Sequence, residues 1–176
     1  MGMQQCKPVV TPFAMVNPEL REKPVSQTQA DLTRAVVGKL LWVVPERPDL
    51  AYATKELSRQ VAHPTMETWE GLKRITRYLA GTLDARLWLS IDPSLDPMTV
   101  LAIADANWAT SSDGRSTTGA TIWVQGFLIM HFSRTQTTIA LSSCEAELLA
   151  LNTSAAEAKM IQSMLEGIMQ MPATLI

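Results

Sequence analysis

The apolar residues of this 176-residue chain change from a helical to an alternating period near Gly81, before a helical period returns near residue 143, and that order limits the folds open to it. Before Gly81 they recur every three or four positions, as on one face of a helix; after it they alternate, as in half-buried strands. From Asp31, a residue able to cap a helix, Leu32, Val36, Leu40 and Val43 share a face until Pro45 stops the run. A second helix is predicted after Pro48-Asp49, with Leu50, Ala53, Leu57 and Val61 inward and Pro64 beyond its end. A third starts at Thr65, turns Trp69, Leu72, Ile75 and Leu79 inward, and ends with Gly81 in the capping position.

Beyond Gly81, Leu87 and Leu89 alternate with Arg86, Trp88 and Ser90, which predicts a strand. The stretch Asp92-Pro93-Ser94-Leu95-Asp96-Pro97 then breaks the chain. Three further strands are predicted at about 98–105, 118–125 and 127–133, with turns around Asp113-Gly114 and at Gly126. A helix from about 143 to 170 follows, so the fold class is α+β: helices, then three antiparallel strands, then a long helix. Residues 1–30, with Pro8, Pro12, Pro18 and Pro24 and no apolar period, read as an extended tail or linker. The expected divisions are therefore 1–30, 31–82 and 84–176.

Charge excludes a uniformly basic nucleic-acid wrapper: the chain carries 15 Lys and Arg against 17 Asp and Glu. The balance is uneven, because residues 31–90 hold nine basic and seven acidic side chains while 91–176 hold three and eight. Two cysteines, Cys6 and Cys144, make neither a disulfide framework nor a zinc site, and a reducing interior, cytoplasmic or nuclear, fits them. No apolar run reaches membrane-spanning length and the first residues lack the core of a signal peptide, so no membrane partner is expected. A nucleophile elbow and a P-loop are both missing.

The chemistry is concentrated in two acids. Ser142-Ser143-Cys144-Glu145 fits a capping box, which gives Glu145 a structural task. Glu147 lines up instead with Leu151, Ala158, Ile161, Leu165 and Ile168, the expected core-facing stripe. A carboxylate so placed needs a cation, a donor network or a cleft. Asp105 ends the run Val100-Leu101-Ala102-Ile103-Ala104 and projects from the end of its strand. Two carboxylates with no adjacent Lys or Arg suit Mg²⁺, which prefers oxygen ligands; equally, Asp105 can start a turn while Glu147 is half exposed. In the third helix Lys73, Arg74 and Arg77 read first as a solvated face supported by the helix dipole, and second as candidate phosphate contacts. Met160, Met164 and Met169 at helical spacing are read as core filling, and His131 as a packing residue in mid-strand.

These residues fall in blocks that resemble the C-terminal part of copia-type retrotransposon polyproteins. Gly38-Lys39-Leu40-Leu41-Trp42, Arg47-Pro48-Asp49-Leu50-Ala51-Tyr52-Ala53 and Leu57-Ser58-Arg59 resemble "VGKLLY…RPDIAYAV…LSR". The block Leu72-Lys73-Arg74-Ile75-Thr76-Arg77-Tyr78-Leu79-Ala80-Gly81-Thr82 resembles "KRILRYLKGT". Ala104-Asp105-Ala106-Asn107-Trp108-Ala109 is similar to "SDADWA", Arg115-Ser116-Thr117-Thr118-Gly119 to "RSTSG", and Leu141-Ser142-Ser143-Cys144-Glu145-Ala146-Glu147-Leu148 to "LSSxEAEY". Cys6-Lys7-Pro8-Val9-Val10-Thr11-Pro12 is similar to "CKPVxTP" at the end of the polymerase region.

The resemblance implies a reverse-transcriptase tail and helical connection segment followed by an RNase H-like domain. That domain would hydrolyse the RNA strand of an RNA–DNA hybrid with two Mg²⁺ ions. Asp105 and Glu147 would be catalytic and metal-binding, Lys73, Arg74, Arg77 and Arg134 would bind nucleic acid, and the reverse transcriptase domain of the same polyprotein would be a partner. Asn107 replaces the second Asp of "DADWA", and His131 the Trp of "ISWSSKKQ". The family's next strand runs into "CDNQSA", which carries a third ligand. Pro172-Ala173-Thr174-Leu175-Ile176 resembles the start of that strand, so a C-terminally truncated domain with weak or no nuclease activity is expected. The alternative is a non-catalytic nucleic-acid-binding or scaffold fragment.

Overall fold

The computed structural model describes every residue except Met1, Gln4, Val16, Pro97 and Ser112. It divides into two compact units, Met1–Leu87 and Trp88–Ile176. Pro97, the last residue of the proline-rich break, and Met1 and Gln4 of the N-terminal stretch lie outside the described residues.

In the first unit α1 spans Gln27–Val43, starting before Asp31 because Ser26 is the better cap. The Ser26 hydroxyl accepts from the Gln29 N–H at 3.2 Å and the Gln29 side chain accepts from the Ser26 N–H at 3.0 Å. Asp31 lies inside the helix and pairs with Arg34. The buried face differs from the expected one: Ala30, Thr33, Val37 and Leu40 are buried, whereas Leu32 and Val36 are half-buried and Val43 is exposed. Helix α2 (Ala51–Ser58) and helix α3 (Met66–Gly81) pack on it. Their core is Val37, Leu40, Leu50, Ala53, Leu57, Leu72 and Ile75. Gly71 permits the close α2–α3 approach, since a Cβ there would meet Leu57 Cδ2 at 2.9 Å. Gly81 is the last helical residue and Thr82 the cap.

A polar cluster ties the end of α3 to the turn before α2. Arg47 donates to both carboxylate oxygens of Asp49, at 3.0 and 2.7 Å, and to the carbonyl and hydroxyl of Thr82, at 3.1 and 2.9 Å. The Tyr78 hydroxyl donates to Asp49 at 2.7 Å. The bond from Arg47, outweighing desolvation, holds the Asp49 carboxyl below its ordinary value, and the bond to Asp49 raises the Tyr78 phenol.

In the second unit, residues 88–97 contain no strand among those described, and Leu87 and Leu89 are exposed. Alternation alone forms no ladder; a strand needs a partner strand, and among the described residues no strand pairs with this stretch. Strands β1 (Thr99–Asn107), β2 (Thr117–Val124) and β3 (Phe127–Thr135) pair antiparallel, and β4 (Thr174–Leu175) runs parallel to β1, giving the order β3-β2-β1-β4. Gln125 and Gly126, both at positive φ, make the two-residue β2–β3 turn.

Helix α4 (Ser143–Met169) crosses β1 and β2 on a seam of small residues: Ala146, Ala150, Ser154 and Ala158, then Ile161 and Gln162. This corrects the expected core-facing stripe. Leu151 and Ile168 are 59% and 73% exposed, and of that set Ala158 and Ile161 are core, with Leu165 packed against it. Met160, Met164 and Met169 are exposed as well, not core filling.

Two measurements check these packing arguments. Asp49→Asn lowers stability by about 1 kcal/mol. Because the folded pKa of Asp49 is depressed, its contribution is complete above the unfolded value near 3.8 and disappears as pH falls through the folded one. The variant's acid-unfolding limb is accordingly shallower than the wild type's. For Tyr78 the sign reverses, and stability is lost as pH rises through its raised value. Ala150→Leu overfills the α4 seam and costs about 1–3 kcal/mol in denaturant unfolding.

Candidate functional site

The candidate acids flank the place where α4 begins against the sheet. Asp105 is the seventh residue of β1, opposite Gly119 of β2. Val100 and Ala102 pack in the core against α4. The pleat therefore puts Asp105 in the other row, with the exposed Ile103 and Asn107. Glu147 follows Ala146, the first seam residue, by one position and is exposed. It is not part of the core-facing stripe, because a step of about 100° around the helix takes it off the seam.

A buried glutamine joins α4, which carries Glu147, to β2, the strand paired with Asp105's own. Gln136, 8% exposed, donates from Nε2 to the Thr118 hydroxyl at 3.1 Å and to the Ala146 carbonyl at 2.8 Å. Thr118 pairs with Ala106, the neighbour of Asp105, and Ala146 is the neighbour of Glu147. The Gln136 backbone N–H is held by the Ser116 carbonyl at 2.8 Å, and its Oε1 is buried without a partner. On the same end, Trp108 Nε1 donates to the Ala140 carbonyl at 3.0 Å, fastening the loop before α4 to the end of β1. The Ser142 hydroxyl caps α4 by accepting from the Glu145 N–H at 3.1 Å. Glu145 accepts from the Leu141 N–H at 2.7 Å, one residue beyond the cap.

Asp105 near the end of β1 and Glu147 in the first turn of α4 are both accessible, and neither carboxylate has a hydrogen bond or ion pair to a described residue. Such carboxylates offer hard oxygen donors to a divalent cation. They are a partial set: among the described residues no group of three or more His, Cys, Asp or Glu is placed to hold a metal.

The candidate phosphate contacts have protein partners. Lys73 is ion-paired with Glu70, and Arg134 with Glu157 while stacking over Phe132 at 4.1 Å. Arg74 and Arg77 donate to the N-terminal segment. His131 is half-buried in mid-β3, opposite Thr121.

Gln136 and the Trp108 anchor carry no role in the sequence reading. The available signal was a lone amide immediately after the third alternating run, a position where a solvated side chain is the ordinary outcome.

Comparison with known proteins is specific. The retrovirus-related Pol polyprotein from transposon RE2 of Arabidopsis thaliana is 34% identical over 166 residues, covering 93% of this chain and 11% of that polyprotein. An uncharacterized mitochondrial protein of the same plant is 33% identical over 159 residues, 89% of this chain and 64% of its own length. The secreted RxLR effector protein 161 of Plasmopara viticola is 34% identical over 126 residues, 70% of this chain and 87% of that protein. The chain belongs to the copia-type retrotransposon Pol polyproteins, of which it is a fragment. No family model and no solved structure matches it. Among the described residues no helix is long and apolar enough to cross a membrane.

Gln136→Leu tests the bridge. It leaves the Thr118 and Ala146 oxygens without that donor and lowers stability by about 1–3 kcal/mol. Amide exchange should accelerate first in the opening turns of α4, near Ala146, while Gly119–Ile122 in the β1–β2 ladder stays protected.

Proposed function

We propose that residues from about 84 onward are the RNase H-type module of a copia-type Pol polyprotein and that 31–82 are its connection segment. Residues 1–30 are then the tail of the reverse transcriptase, which is the partner domain within the same polyprotein. The parent activity is Mg²⁺-dependent hydrolysis of the RNA strand of an RNA–DNA hybrid. The observation that supports this reading is the placement of Asp105 late in β1 and Glu147 in the first turn of α4, both accessible and with unpaired carboxylates.

In this reading Asp105 and Glu147 hold the metal, and Gln136 fixes the start of α4 against β2. Bound Mg²⁺ supplies a Lewis acid and lowers the pKa of its water. The unpaired state of both carboxylates supports it, since an arginine across either would compete with the ion. Lys73, Arg74, Arg77 and Arg134 supply phosphate contacts once their present partners are exchanged.

With two acids where a two-metal centre needs more, this chain by itself cleaves hybrid weakly or not at all. A labelled-hybrid assay in Mg²⁺ measures this, and robust turnover lost in Glu147→Gln would overturn the expectation of weak activity. Metal titration followed by NMR tests the site itself. Mg²⁺ should move the amides around Asp105 and Glu147, and Asp105→Asn should abolish those shifts. Shifts that are absent, or unaffected by the substitution, favour a scaffold fragment instead.

A further inference from the structure

The N-terminal segment of the first unit lies along α3, where two arginines hold it by its backbone. Arg74 donates from Nε to the Thr11 carbonyl at 3.1 Å and from Nη2 to the Thr11 hydroxyl at 2.7 Å. One turn further on, Arg77 donates from Nε to the Lys7 carbonyl at 2.7 Å. A turn beyond Arg77, Pro8 presses on Gly81, so closely that a Cβ on Gly81 would lie 2.7 Å from the Pro8 Cβ. Phe13 ends the contact edge-on to Tyr52, with ring centroids 4.8 Å apart.

The acceptors are what distinguish these arginines. Arg21, Arg47, Lys73 and Arg134 each meet a carboxylate. Arg74 and Arg77 meet neutral oxygens, and among the described residues neither has an acidic partner. Two positive charges are thus half-buried on one helix face and hydrogen-bonded without being neutralised. Their Cβ atoms are about 5–6 Å apart, as for any i, i+3 pair. Bonds from guanidinium to phosphate are roughly twice as strong as bonds to neutral acceptors, and the planar fork suits phosphate geometry. A repeating phosphodiester satisfies both arginines at once, and Lys7, exposed on the covering segment, adds charge beside them.

We propose that Arg74 and Arg77 form a nucleic-acid backbone site that the chain's own segment from Lys7 to Phe13 covers, so that segment and phosphodiester compete for the same two guanidinium groups. The proposal rests on the nucleic-acid-binding part of the reading above and is independent of hydrolysis. The segment holds the advantage of being tethered and the ligand that of charge, so loosening the segment uncovers the site.

The test uses the full chain, a fluorescent RNA–DNA hybrid and EDTA throughout, so its outcome does not depend on whether the hybrid is cleaved. Pro8→Ser with Phe13→Ala frees the segment while leaving both arginines. Anisotropy should show binding tightened about tenfold, with the log K against log salt slope steeper by about 2. Adding Arg74→Gln and Arg77→Gln to the loosened chain should remove both gains. A second arm guards against misfolding of the loosened chain. Pro8→Cys with Gly81→Cys, in a Cys6→Ser and Cys144→Ser background, brings two thiols near disulfide range after they ease apart by roughly 1 Å. The oxidised form should bind hybrid more weakly than the reduced form of the same protein. Equal binding in both redox states, together with no gain on loosening, would overturn the proposal. Displacement of the hybrid by inorganic phosphate as readily as by unlabelled hybrid would reduce the site to a general anion site and overturn the nucleic-acid assignment.

Discussion

The contact on which the second unit depends is the small-residue seam between α4 and the sheet. Ala146, Ala150, Ser154 and Ala158 are almost fully buried and short enough to bring the helix backbone close to β1 and β2. That closeness lets one glutamine side chain span from Thr118 to the Ala146 carbonyl, which a bulkier seam would hold out of reach. It also sets the direction of Glu147. One position off the seam, the Glu147 carboxylate is exposed and stays hydrated.

The first unit is organised differently, around charge. Arg47 and Asp49 lie in one sequence block and Tyr78 and Thr82 in another, yet the fold closes them into a single cluster at the end of α3. Arg47 satisfies the last carbonyl region of α3 while Asp49 neutralises it, so a mostly buried guanidinium is left with partners on all sides. Arg74 and Arg77 contrast with it. Their partners are backbone and hydroxyl oxygens, so the positive field of that helix face is covered rather than cancelled.

Much of the architecture was legible from residue periods. The three central helices, three antiparallel strands and closing helix appear nearly where the patterns put them, because burial on one face imposes a period of 3.6 or 2 on the sequence itself. The errors share a cause. Leu and Met are more apolar than Ala, so the pattern predicts an α4 stripe through Leu151 and Ile168 and a core filled by Met160, Met164 and Met169. Close packing preferred the small residues. The strand expected around Leu87 and Leu89 failed because alternation is a property of one segment and a ladder a property of two.

By itself the sequence determined the fold class, the order of elements, the family and the identity of the two candidate acids. These follow from local periods and residue types that survive in a string. Only the tertiary structure decided which face of α4 meets the sheet, that Gln136 bridges β2 to that helix, and that Arg74 and Arg77 are occupied by residues 63 and 70 positions away. Those are contacts between distant parts of the chain, and their energies depend on which groups the fold brings within hydrogen-bond reach, a quantity no local pattern carries.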